Sequence, residues 1–248
     1  MSSNSSLPKS DGALGDYLSV LMPVYNEASR IRDVLETVRA VPLEMEIVIV
    51  DDCSTDGTTE ILQEEAAADE SIKLIRHEEN RGKGAAIRTA REHATGRVVI
   101  IQDGDTEYDP QDYPKLVAPV FAGNTRAVFG SRFKGSNENM PPLNFIANKI
   151  LTWQTNLLFG TGTTDACTAY KVLETEWFKS IELKSDGFEF CQELAVRLSD
   201  DDIEISEIPI SYSARSSSEG KKIGWTNLFI AAWLLTRMKL ARIARRPR

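Results

Sequence analysis

The chain has 248 residues, 42% of them hydrophobic, enough for one large α/β domain with a sizeable core. Its net charge of −8 is unevenly spread: residues 221–248 carry eight Lys/Arg and no acid, which leaves 21 bases against 37 acids in the first 220 residues. An acidic body with a basic tail argues against a nucleic-acid binder and suits a tail that meets an anionic surface.

Residues 1–16, MSSNSSLPKSDGALGD, are polar and lack the apolar core of a signal peptide, so a disordered N-terminal tail is expected. From Tyr17 onward, short apolar runs alternate with helical patterns. Leu18–Met22 reads as a strand and Ser29–Arg39 as a helix, with Ile31, Val34, Leu35 and Val38 at helical spacing. Glu46–Val50 is a second strand, dense in β-branched residues, and Asp56-Gly57 is the turn before a helix starting near Thr58. A third strand is expected at Ile72–Arg76, a helix at Gly84–Thr95 and a fourth strand at Arg97–Ile101. Asp112–Phe121 reads as helix and Ala127–Phe129 as strand. Apolar strands alternating with helices predict a mostly parallel sheet covered by helices, with ligands bound at the carboxyl ends of the strands.

After Gly130 the rhythm breaks. A long helix is expected over Leu143–Leu158, another around Phe190–Leu198, a strand at Ile203–Ile208 and a last helix over Trp225–Ala244. No internal repeat is visible, and no linker divides the body into two domains. The longest uninterrupted apolar run, Leu228–Leu235, is far short of the roughly 20 residues that span a bilayer. Cys53, Cys167 and Cys191 are odd in number and lack metal-ligand spacing, which predicts a reducing compartment.

Chemistry concentrates where strands end. VVIIQDGDTEYDP closes the fourth strand in Asp103, Asp105, Glu107 and Asp109. Residues two apart in extended chain point the same way, so the Asp103 and Asp105 carboxylates can share one hard divalent cation and leave room for phosphate oxygens. A solvated acidic loop is the alternative. The second strand ends in Asp51-Asp52, and the first runs into Tyr25, Asn26 and Glu27. Taken singly, each is an ordinary strand-to-helix turn with Asp as a cap; three at one sheet edge point to a ligand crevice, where Tyr25 can stack on a base and Asp52 can accept from base or ribose. NRGKGAA lacks the spacing of a phosphate-binding P-loop, so Gly82 and Gly84 read as turn and helix-start residues.

MPVYNEA, VDDCSTDGT, NRGKGAA, QDGDTEYDP, FGSRF and EGKKI occur here in the order found in inverting family 2 glycosyltransferases. Over about residues 17–224 the chain resembles that family, closest to the polyprenyl-phosphate mannosyl- and glucosyltransferases. The resemblance implies a GT-A (Rossmann-like) α/β fold and a cytoplasmic enzyme peripheral to the membrane. Its partners would be a nucleotide sugar such as GDP-mannose or UDP-glucose and a dolichyl or undecaprenyl phosphate. It further implies that Pro23, Tyr25, Glu27 and Asp52 hold the nucleotide. Asp103 and Asp105 would bind Mg²⁺ or Mn²⁺ and the diphosphate, with Glu107 as a third metal ligand. Arg132 would contact the acceptor phosphate, and Arg215 and Lys221 would close over the diphosphate from a flexible loop. The family usually has Gly at Cys53 and Ala169, and commonly an arginine where Asn144 stands, with Lys149 nearby. Asp165 and Lys171 are read either as site residues or as a helix cap and an exposed lysine.

No Ser/His/Asp or Cys/His arrangement is visible, and His77 and His93 read as surface or strand-end residues. A lipid phosphate, anionic at neutral pH, needs no general base. A hydroxyl acceptor would need one, with Asp186 or Glu189 as the candidates. The segment after Gly224 joins Trp225, Leu228, Phe229, Ile230, Trp233 and Leu234 to a basic end, which suits an anionic membrane interface or a membrane-protein partner. A helix packed on the domain is the other reading. The rival functions are a family 2 transferase with a saccharide or soluble acceptor and a non-catalytic nucleotide-sugar-binding subunit.

Overall fold

The computed structural model describes residues 16–214 and 225–244. Residues 1–15 of the predicted N-terminal tail, Arg215 and Lys221 lie outside the described residues.

The first half follows the expected alternation: β1 (Leu18–Val24), α1 (Ile31–Arg39), β2 (Met45–Asp51), α2 (Thr58–Ala68), β3 (Ile72–Arg76), α3 (Lys83–His93) and β4 (Val98–Ile101). Gly57, at φ +96°, makes the left-handed turn that starts α2 at Thr58. The second half holds α4 (Tyr113–Phe121), β5 (Ala127–Ser131), α5 (Pro142–Phe159), β6 (Lys171–Glu174), α6 (Thr175–Ser180), α7 (Phe190–Asp200), β7 (Ser206–Pro209) and α8 (Trp225–Ala244).

Strand order is β3-β2-β1-β4-β6-β5-β7, with β6 antiparallel to both β4 and β5 and the other pairs parallel. Alternate residues feed two apolar layers. Val20, Met22, Ile47 and Ile49 face α1, α2 and α4; Leu21, Val48, Val50 and Val99 face α3, α6 and α7. The chain winds outward from β1 through β2 to β3, then returns to place β4 on the other side of β1. That reversal opens a crevice beyond the carboxyl ends of β1 and β4. Pro23 fits inside a central strand because β4 pairs with β1 only as far as Leu21, so beyond that point β2 alone continues the ladder.

Two elements were not predicted, β6 and α6. The four-residue strand KVLE carries a charge at each end, and Lys171 is fully buried, its Nζ donating to the Thr168 carbonyl and lying 4.7 Å above the Phe129 ring. The reading of Lys171 as an exposed lysine is therefore corrected. The strand expected at Ile203–Ile208 begins later, at Ser206, and ends at Pro209 on the sheet edge.

Candidate active site at the strand ends

The loops after β1 and β2 are sewn together. Asn26 N donates to Ser54 Oγ (2.9 Å), Thr55 N to Asn26 Oδ1 (2.8 Å) and Glu27 N to Thr58 Oγ1 (2.9 Å). Pro23, Tyr25 and Glu27 sit half-buried along this seam. Asp51, predicted as part of the acid pair, turns inward instead: it accepts from Ser54 N (3.0 Å) and Thr59 Oγ1 (2.6 Å).

Asp52 lies at the predicted strand end, but protein groups take its oxygens. Its Oδ1 meets His77 Nδ1 (2.6 Å) and Arg81 N (2.9 Å), and its Oδ2 accepts from Gly82 N (2.7 Å). Asp52 thus anchors the loop that leads into α3. His77, buried at the end of β3, completes this contact and reaches Thr89 Oγ1 at 2.9 Å; it is a strand-end histidine, not a surface one.

β4 delivers the DxD segment into the crevice. Gly104 passes so close to β1 that a Cβ there would lie 3.2 Å from Val24 Cγ2. The Asp105 side chain is 7% exposed, and its Oδ1 accepts from Glu107 N at 3.1 Å. Asp103 is ion-paired with Lys83, Nζ to Oδ1 at 2.5 Å. Glu107 turns toward the chain beyond β7: its Oε2 accepts from Tyr212 Oη at 3.0 Å. Burial, then Glu107, pushes the Tyr212 phenol up, so it remains a donor. Among the described residues no three His, Cys, Asp or Glu side chains gather as a metal set. Asp103, Asp105 and Glu107 are the hard oxygen donors that this edge offers, the ligand type that fits a divalent ion sharing phosphate oxygens and water. A groove of about 430 Å³ runs along this loop, with Val34, Glu138 and Tyr212 among its walls.

The loop has a floor that sequence reasoning missed. Gln102 Oε1 accepts from Tyr113 Oη (2.6 Å) and Tyr170 Oη (2.8 Å), while its Nε2 donates to the Asp103 carbonyl (2.8 Å). Tyr108 packs on Tyr170 and Tyr212 at 4.7 and 5.1 Å between ring centres. The partners lie 11 and 68 residues from Gln102, beyond any local pattern.

Arg132 follows β5, 5% exposed, and meets Asp165 in a two-pronged pair: Nε to Oδ2 at 2.7 Å and Nη2 to Oδ1 at 2.8 Å. Burial works to lower the pKa of this guanidinium, but Tyr108 and Asp165 outweigh it and hold it well above the usual value. The pair decides the role of Asp165, which is not a helix cap. Glu207 on β7 fixes that segment, accepting from Thr163 Oγ1 (2.6 Å), Thr164 N (2.7 Å) and Asp165 N (3.2 Å). Phe133, next to Arg132, stacks edge-on with Phe145 of α5 at 5.2 Å, and Lys149 Nζ lies 3.9 Å above the Phe133 ring. Asp186 and Glu189 are both engaged: Asp186 pairs with Arg88, and Glu189 Oε1 accepts from Gly187 N at 3.1 Å.

The doubly wound sheet thus presents acids at its switch point, where such sheets bind ligands. Residues 19–181 match the model of Glycosyl transferase family 2, and the chain belongs to that family. It is 32% identical over 231 residues to the low-salt glycan biosynthesis hexosyltransferase Agl6 of Haloferax volcanii, covering 90% of this chain but only 54% of that protein, so the chain spans about half the length of that relative. It is 27% identical to the UDP-N-acetylglucosamine–dolichyl-phosphate N-acetylglucosaminyltransferase of Methanococcus voltae, covering 91% and 96% of the two chains. Its fold is shared with glucosyl-3-phosphoglycerate synthase of Mycobacterium tuberculosis, solved with Mn²⁺, UDP and phosphoglyceric acid: TM-score 0.68, 17% identity, 94% and 80% of the chains covered.

Proposed function

We propose that the chain transfers a hexose, mannose or glucose, from a nucleotide sugar to a polyprenyl phosphate at the cytoplasmic face of a membrane, with inversion at the anomeric carbon. In this reading Pro23, Tyr25 and Glu27 line the nucleotide subsite, and Asp52 shapes it through the 77–82 loop. Asp103 and Asp105 hold Mg²⁺ or Mn²⁺, which when bound neutralises the leaving diphosphate. Arg132 steers the acceptor phosphate, using the nitrogen that Asp165 leaves. Arg215 and Lys221 add positive charge over the diphosphate from beyond β7.

The observation that carries the acceptor class is the setting of Arg132. A buried guanidinium stands beside Phe133, which touches α5, and α5 turns Leu143, Ile146, Ile150, Trp153 and Leu157 outward at helical spacing, each 49–64% exposed. A charged clamp at the start of an apolar track matches a phosphate on a long hydrocarbon. α8 packs on the domain by one face and leaves apolar side chains exposed on another. Leu235 is buried with Phe159 and Val196, and Lys239 lies over the Phe159 ring, while Phe229 and Trp233 are 69% and 62% exposed, with Arg237 over the Trp233 ring. No described helix is long and apolar enough to cross a membrane, so the reading places these faces against a bilayer surface.

The test is to offer GDP-mannose and UDP-glucose separately, with Mn²⁺, to the full chain in vesicles containing a polyprenyl phosphate. Label in the lipid fraction is expected with one donor. Label only on an added soluble phosphate ester or saccharide would overturn the lipid acceptor.

A further inference from the structure

The strand-end site already contains a cation of its own. Lys83 is the first residue of α3, and its side chain is 13% exposed against 21% for Asp103. The backbone fixes it there. Arg81 N and Gly82 N are held by Asp52, and Gly82 adopts φ +92°, where a Cβ would come within 2.5 Å of the Asp186 carbonyl. The amides of Gly84 and Ala85 both donate to that same carbonyl, at 2.7 and 3.2 Å. The amides of Gly84 and Ala85 are thus used within the protein, and the Lys83 ammonium is the charge that this loop presents beside Asp103. Burial acts to strip its proton, but Asp103, Cys191 and Asp105 outweigh burial, and the lysine stays charged.

We propose that Lys83 is a resident counter-ion that holds Asp103 until a divalent cation arrives with the donor diphosphate, and that the displaced ammonium then turns to the diphosphate oxygens. The proposal rests on Asp103 being a metal ligand. One carboxylate oxygen cannot keep an ammonium at 2.5 Å and also ligate a divalent ion without placing two like charges within about 4 Å of each other. The diphosphate brings the negative charge that lets both cations share the site. Metal alone therefore binds weakly to the free protein, and metal with nucleotide binds well.

The test reads Mn²⁺ alone, by the loss of the free-ion electron paramagnetic resonance signal, in the full chain. Lys83→Met is expected to bind Mn²⁺ about fivefold more tightly than the wild type, the value of one part-exposed ion pair. Lys83→Arg, which keeps the charge, is expected to stay as weak as the wild type. UDP or GDP should raise Mn²⁺ affinity more in the wild type than in Lys83→Met. Equal Mn²⁺ affinity in the wild type and Lys83→Met overturns the counter-ion role and leaves the metal reading standing. Mn²⁺ bound by neither, even with UDP or GDP, removes the metal reading and the proposal together. A wild-type structure soaked with Mn²⁺ and UDP or GDP reads the same question without a variant: Lys83 moved from Asp103 toward phosphate supports the exchange, and Lys83 still paired beside a metal-bound Asp103 overturns it.

Discussion

The two ends of the central sheet use the same residue types for opposite ends. At the amino edge, Glu46 of β2 accepts from Ser19 Oγ (2.6 Å), Thr95 N (2.5 Å) and Thr95 Oγ1 (2.8 Å) and pairs with Lys73 at 2.5 Å. Burial would raise its pKa, but the bonds from Lys73, Ser19 and Thr95 outweigh that and hold the carboxylate below the usual range. At the carboxyl edge the acids grade from closed to exchangeable. Asp51 and Asp52 are committed to neighbouring loops, while Asp103 is held by a lysine on the next helix. Backbone amides and hydroxyls supply most of the bonds to Glu46, Asp51 and Asp52, whereas the partner of Asp103 is the Lys83 ammonium.

Substitutions separate the two ends. Asp105→Ala should cut transfer by about 10³-fold or more while the chain remains folded; unchanged turnover would make the carboxyl edge as structural as the amino one. Arg132→Ala leaves Asp165 buried and unpaired, so it should cost about 3 kcal/mol of stability in denaturant titration as well as most transfer. Glu46→Gln should cost about 2 kcal/mol with turnover of the folded enzyme unchanged. Because the folded pKa of Glu46 is lowered, its contribution is present above the ordinary glutamate value near ~4.3 and lost as pH falls below it, so the gap between wild type and Glu46→Gln should narrow in acid. Smallest, Trp153→Glu on the exposed face of α5 should weaken vesicle binding and lipid-acceptor transfer about tenfold, with stability within about 0.5 kcal/mol.

The amino-terminal half was legible because its strands are largely apolar and run into polar residues, and the turn at Gly57 and helix start at Thr58 have local signatures. Strand ends were legible too: Asp103 and Asp105 follow β4 as predicted, and Arg132 directly follows β5. What their partners are was not legible. Asp52 meets groups 25–30 residues away, Arg132 meets Asp165 at 33, and Arg88 meets Asp186 at 98. Long-range pairing leaves no periodicity. β6 escaped for a related reason: buried Lys171 disguises a core strand as a polar segment, and the Phe129 ring and the Thr168 carbonyl help make that burial tolerable.

The most direct measurement is Mn²⁺ binding in the presence of UDP or GDP, followed by electron paramagnetic resonance in the wild type and in Asp105→Ala. The account predicts nucleotide-dependent immobilisation of Mn²⁺ by the wild type and at least a tenfold loss in the variant. Equal immobilisation by both would show that the strand-end carboxylates are not what holds the metal.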